Sequence, residues 1–190
     1  MKNIVVFASG FGSNFQAIID SVKHGRLQAN IVGLICDNPK AYAIERARIN
    51  YIPIALFERK NFLIKEEMDE AILNQCRQWQ ADWLILAGYM RLLSPEVIHA
   101  YPHHIVNIHP SLLPKYRGLD AVGQALDKNE KIYGITIHYV DEGMDSGEII
   151  CQVPFEPDVL DRDHIERRLH QLEHQTYPAI IQKLLLEERV

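Results

Sequence analysis

Asn3-Ile4-Val5-Val6-Phe7-Ala8, followed at once by Ser9-Gly10-Phe11-Gly12-Ser13-Asn14, is the reading from which the rest of the chain falls into place. The first six residues are apolar after Asn3 and do not alternate, the pattern of a strand buried on both faces. Glycines then permit a tight turn. Phe15, Ile18, Ile19 and Val22 recur at helical spacing, so a helix is predicted to begin near Ser13 or Asn14.

The alternation continues. Ala29–Cys36 reads as a strand closed by the turn residues Asp37-Asn38-Pro39, Ala41–Arg48 as a helix and Ile52–Leu56 as a strand. Phe62, Met68, Ile72, Cys76 and Trp79 stripe a long amphipathic helix, and Asp82–Ala87 is a central strand. Buried strands interleaved with amphipathic helices predict an α/β fold, a Rossmann-like, doubly wound, mostly parallel sheet. Ligands in such sheets sit beyond the carboxyl ends of the strands. The loops that follow residues 8, 36, 87 and 108 are therefore the ones to examine.

After the short strand His104–Ile108 comes a Pro- and Gly-punctuated loop, Pro110–Gly118, then a helix near Ala121–Asp127. Tyr133–Val140 and Glu148–Phe155 alternate and flank the acidic, Gly-rich loop Asp141–Gly147, which predicts an antiparallel late-strand pair. A last helix carries Ile165, Leu169 and Leu172 and runs past Pro178 to Leu186. Pro178 has no N–H, so a kink or break is predicted at Glu173–Tyr177.

Composition narrows the function classes. At 190 residues, 47% apolar and 24% charged, the chain can bury one core without staples. Twenty Lys and Arg against 25 Asp and Glu give −5, a balance that argues against duplex nucleic acid as a partner. No apolar run approaches the ~20 residues of a membrane helix, and the opening residues lack a secretory signal pattern, so a cytoplasmic protein is expected. Cys36, Cys76 and Cys151 are far apart in apolar segments and read as reduced core residues. Neither zinc-type spacing nor a G-x-S-x-G elbow is present, so no metal and no serine nucleophile is expected.

Three constellations could carry chemistry. The loop Ser9–Asn14 lies between strand and helix, where free N–H groups bind anions, although turn formation and capping account for the same residues. It lacks a Walker lysine and completes no dinucleotide fingerprint. Asn107 and His109 stand at i and i+2 at a strand's end and project to the same side. An amide donor beside an imidazole suits a tetrahedral oxyanion, though two strand-end polar residues capping loop carbonyls would look alike. Asp145 could orient that imidazole or be an ordinary turn aspartate.

Taken in order, S-G-F-G-S-N at 9–14, G-Y-M-R at 88–91, N-I-H-P-S-L-L-P-K-Y at 107–116 and D-E-G-M-D-S-G at 141–147 resemble the folate-dependent formyltransferase family over nearly the whole chain. The resemblance implies transfer of a formyl group from 10-formyltetrahydrofolate to the amine of 5′-phosphoribosylglycinamide in purine synthesis. It implies Asn107, His109 and Asp145 as catalytic residues, and Gly12, Ser13, Asn14, Lys65, Gly88 and Glu173 at the acceptor's phosphate, ribose and glycinamide end. Met90, Arg91, Leu92, Val97, Asp141, Glu142 and Gly143 are implied at the folate, with Arg91 suited to a benzoylglutamate carboxylate. One domain, 1–190, is expected, with a phosphate-binding half at 1–90 and a catalytic and folate-binding half at 91–190, as a monomer or homodimer.

The sequence departs from the family at Arg117, where proline is frequent, and at Asp120 and Val122, where some members have histidine. Other readings are a sugar-nucleotide formyltransferase, a formyltetrahydrofolate hydrolase, or a non-catalytic nucleotide-binding module. The last leaves Asn107, His109 and Asp145 unexplained. A methionyl-tRNA acceptor calls for a basic domain that a chain of net charge −5 is not expected to supply.

Overall fold

The apolar runs become the strands of one seven-stranded sheet in the order β3-β2-β1-β4-β5-β6-β7. The computed structural model describes residues 1–187, so the last three positions of the expected 1–190 domain lie outside the described residues. In chain order the elements are β1 (Lys2–Phe7), α1 (Ser13–Lys23), β2 (Ala29–Cys36), α2 (Tyr42–Ile49) and β3 (Ile54–Leu56). They continue with α3 (Lys65–Gln78), β4 (Trp83–Leu86), α4 (Pro95–Ala100), β5 (Ile105–His109) and α5 (Ala121–Asp127). The chain closes with β6 (Tyr133–Tyr139), β7 (Ile149–Phe155) and α6 (Arg162–Glu187). Neighbouring strands β1 to β5 pair in parallel, whereas β6 pairs antiparallel with both β5 and β7. This is the doubly wound, mostly parallel sheet with an antiparallel late pair.

Period-two alternation sorts the strand side chains into two cores. Ile4 and Val6 of β1, with Trp83 and Ile85 of β4, join the core under α1, α2, α5 and α6. Val5, Phe7, Leu84 and Leu86 point to the other face and pack with Met68, Ile72 and Cys76 of α3 and Val97 of α4. Of the cysteines, Cys36 and Cys76 are buried and Cys151 only half-buried, all as free thiols.

Of the kink or break expected before Pro178, helix α6 overturns the break. It runs through Pro178 as one helix. The missing hydrogen bond at a helical proline, with its clash, costs about 3 kcal/mol, but the buried stripe Ile165, Leu169, Tyr177, Ile181, Leu184 and Leu185 holds the helix on the sheet at both sides of it. The Tyr177 hydroxyl also sits 2.8 Å from the Leu86 carbonyl oxygen and 3.0 Å from that of Val106, one proton facing two acceptors.

The sheet reverses its winding between β1 and β4. The chain travels outward from β1 to β3, then returns to β4 on the other side. A crevice forms beyond the strand ends at such a switch point. Here it is framed by the loops after β1, β4 and β5.

Candidate active site

The crevice is a cavity of about 600 Å³. The loop Gly10–Asn14 forms one wall, and residues 86–93, after and including the end of β4, form a second. Asn107–Pro110, Gly118–Val122 and the β6–β7 loop close the third side, and the fourth is the α6 face that carries Arg162, Glu166, Leu169, His170 and Glu173. Exposed apolar side chains rim it: Met90 at 63%, Leu92 at 48%, Leu119 at 75% and Met144 at 50% of their surface. Such a rim around a polar floor suits a ligand with an apolar body.

On the floor, the β5 alternation turns Asn107 and His109 to the same side, and Asp145 reaches them from the β6–β7 loop. Asn107 Nδ2 lies 3.4 Å from Asp145 Oδ1. His109 Nδ1 lies 3.4 Å from Asp145 Oδ2, and its Nε2 is 2.8 Å from the Tyr116 carbonyl oxygen. A carbonyl only accepts, so Nε2 carries a proton. Nδ1 faces the carboxylate, so a proton there would also find an acceptor. The Gly118 N–H donates to Asp145 Oδ2 at 2.8 Å. Asp145 takes the left-handed region, φ 49°, one that aspartate tolerates better than most residues.

Burial acts to raise the Asp145 pKa. Hydrogen bonding from His138 and from the Gly118 N–H, with the charge of His109, outweighs it and holds the carboxyl below the usual carboxylate range.

His138 was not among the sequence candidates. The antiparallel register sets it directly opposite Asn107. Its Nδ1 lies 2.7 Å from the Tyr139 carbonyl oxygen, so Nδ1 carries a proton. The other nitrogen, Nε2, is 3.2 Å from Asn107 Nδ2 and 3.6 Å from Asp145 Oδ1. A neutral ring therefore accepts from the Asn107 amide, and a charged ring donates to Asp145. With a neutral ring both N–H groups of Asn107 have protein partners, His138 Nε2 and Asp145 Oδ1, so one must turn to meet a ligand.

At the opposite wall, Gly12 precedes α1 with φ 72°, and a Cβ there would fall 2.8 Å from Ala43 Cβ, so glycine is required twice over. The first-turn N–H groups of α1 carry no intrahelical partner, as at any helix start. Asn14 Nδ2 donates to Glu173 Oε2 at 2.9 Å, while its own Oδ1 is buried and unpartnered. Glu173 faces inward because it shares the stripe of Leu169 and Tyr177 at spacings of four, with no break needed. Burial pushes its pKa up against the Asn14 hydrogen bond and the His170 charge.

Thirteen of the sequence candidates line this cavity: Gly12, Ser13, Asn14, Gly88, Met90, Arg91, Leu92, Asn107, His109, Asp141, Gly143, Asp145 and Glu173. Three do not. Lys65 opens α3 on the far face of the sheet from α1, and its ammonium lies 3.7 Å from Asp69. Val97 is fully buried in the second core. Glu142 points outward to His99 at 2.9 Å, and both are exposed. Arg162 is a further lining residue that sequence reading passed over, held 2.6 Å from Asp120 and 2.7 Å from Glu166. Among the described residues no group of three or more His, Cys, Asp or Glu could hold a metal ion, and no helix is long and apolar enough to cross a membrane.

An α/β sheet with an amide, an imidazole and a carboxylate converging beside a free helix start defines a group-transfer site on a Rossmann-like frame. The family model described as "Formyl transferase" matches residues 2–181, and the chain is an enzyme of that family. The phosphoribosylglycinamide formyltransferase of Bacillus subtilis is 48% identical over 97% of this chain and 95% of its own length. The crystal structure of phosphoribosylglycinamide formyltransferase from Bacillus halodurans superposes with a TM-score of 0.94 at 43% identity, covering 97% of this chain and 95% of that one. Glycinamide ribonucleotide transformylase 1 from Geobacillus kaustophilus gives 0.92 at 47%, covering 97% and 99%.

Proposed function

We propose that the protein transfers the formyl group of 10-formyltetrahydrofolate to the amine of 5′-phosphoribosylglycinamide, a step of purine synthesis. One observation carries the reading: Asn107, His109 and Asp145 meet within 3.4 Å on the floor of a cavity whose wall is the free start of α1. The names of the relatives supply the acceptor.

The acceptor's phosphate sits at Gly12–Asn14, where unpaired N–H groups favour an anion. Glu173 takes a ribose hydroxyl and Gly88 lines the glycinamide end. The pterin lies between the apolar rim and the 141–145 loop, with Arg91 at the carboxylate tail. The acceptor amine attacks the formyl carbon and the carbonyl π pair moves onto oxygen. An N–H of Asn107 and a proton of His109, each turned from its protein partner, meet that oxyanion. Asp145 balances the imidazolium. Collapse breaks the bond from the formyl carbon to N10, the amine loses a proton, and N10 gains one. No covalent enzyme intermediate forms.

Loss of formyl from 10-formyltetrahydrofolate, followed with and without phosphoribosylglycinamide, tests this. Acceptor-dependent loss is expected. Equal loss without acceptor would make the protein a hydrolase, and no loss in either tube would redirect the search to sugar-nucleotide acceptors.

A further inference from the structure

Helix α2 touches the glycine loop at three successive points. The Ala43 N–H donates to the Gly10 carbonyl at 3.1 Å, Arg46 Nε donates to the Phe11 carbonyl at 2.9 Å, and Gly12 rests against Ala43. In a planar trans peptide the C=O and the N–H that follows it point in opposite directions. Two consecutive carbonyls drawn toward α2 therefore turn the N–H groups of Phe11 and Gly12 away from it. They then continue the row of free N–H groups that opens α1.

Arg46 is itself fixed. Its Nη1 donates to Gln16 Oε1 at 3.0 Å, and its guanidinium carbon lies 4.6 Å and 4.9 Å from the ring centroids of Phe11 and Tyr42. Those rings stack on each other at 5.2 Å and 13°. Both hydrogen-bond acceptors of Arg46 are uncharged, so these bonds leave its positive charge uncancelled beside the loop. Of the two bonds that pull the loop carbonyls, only this one comes from a side chain.

We propose that Arg46 is a positioning residue for the acceptor: it holds the Phe11 carbonyl so that the loop's N–H groups face the substrate phosphate. The proposal rests on the function proposed above. It assigns to α2, outside the cavity, control over the affinity for one part of one substrate.

The test compares two acceptors, phosphoribosylglycinamide and its dephosphorylated form, ribosylglycinamide, in the intact enzyme. Losing one hydrogen bond from a charged donor corresponds to about 10- to 100-fold. Arg46→Ala should lower kcat/KM for the phosphorylated acceptor by about that factor, chiefly through KM. The value for ribosylglycinamide and the KM for 10-formyltetrahydrofolate should not move. The ratio between acceptors does not depend on how much of a variant preparation is folded. Arg46→Lys keeps the charge but loses the planar fork that reaches Phe11 and Gln16 together, so it should recover little. Equal loss on both acceptors, no loss, or full recovery by lysine would each overturn the proposal. A wild-type enzyme with no preference for the phosphorylated acceptor would overturn the underlying reading, and the proposal with it.

Discussion

Replacing Asp145 with asparagine changes one oxygen for an NH2 and leaves shape and backbone preference alone, since asparagine also tolerates positive φ. The carboxylate uses both oxygens as acceptors. Oδ2 takes the Gly118 N–H at 2.8 Å and faces His109 Nδ1 at 3.4 Å, while Oδ1 faces Asn107 Nδ2 at 3.4 Å. An amide in the same space has one acceptor and one donor. Either orientation sets its NH2 against another donor, at a cost of about 1–3 kcal/mol. It also removes the charge opposite His109. Unit charges 3.4 Å apart attract by about 5 kcal/mol at an effective dielectric near 20, a ceiling that desolvation reduces. Together these predict a loss of about 100-fold or more in kcat/KM. The loss should be uneven. Because the Asp145 carboxyl is held below the usual range, it is ionised throughout the neutral region. Its removal should therefore cost most on the alkaline side, drawing that limb of the profile toward acid. Initial rates of formyl transfer across the neutral and mildly alkaline range, with acceptor binding measured alongside, give the comparison. A profile lowered in parallel, with its alkaline limb unmoved, would remove Asp145 from this role.

Two further outcomes concern stability. Tyr177→Phe leaves the Leu86 and Val106 carbonyls without the hydroxyl they share and should cost about 1–2 kcal/mol, seen as a lower urea midpoint at unchanged slope. Glu173 has its pKa raised, mainly by burial, so its ionised form opposes folding above the ordinary carboxylate range and not below it. Glu173→Gln should then raise the melting temperature at neutral pH, lose that advantage on acidification below the ordinary range, and weaken acceptor binding. A stability gain that persists unchanged in acid would contradict the assignment.

Much of the frame was legible because the signals were redundant. β2 carries both a pattern and closing turn residues, and its predicted bounds match those observed, while α5 lies where a helix was expected. Helix α4 left no usable trace: six residues long, it buries only Val97, too little to show a stripe. The break expected at Pro178 failed because local backbone cost is a small term beside the packing of α6 on the sheet. His138 escaped notice for another reason. Alternation in Tyr133–Val140 marks its face, but its position opposite Asn107 is set by strand register. Lys65 and Val97 lie off the cavity lining because α3 and α4 cover the second face of the sheet, which sequence position does not specify.

The Tyr177 hydroxyl has a metric consequence. Val106, whose carbonyl it touches, is the residue before Asn107, and Glu173 is one helical turn before Tyr177. The distance between the reacting floor and the wall proposed to read the ribose is thus gauged from the sheet itself, by a strut inside the core. The surface loops play no part in that calibration. Loop exchange should change what the cavity admits without changing its span, whereas resizing the acceptor site would begin with a residue that no substrate touches.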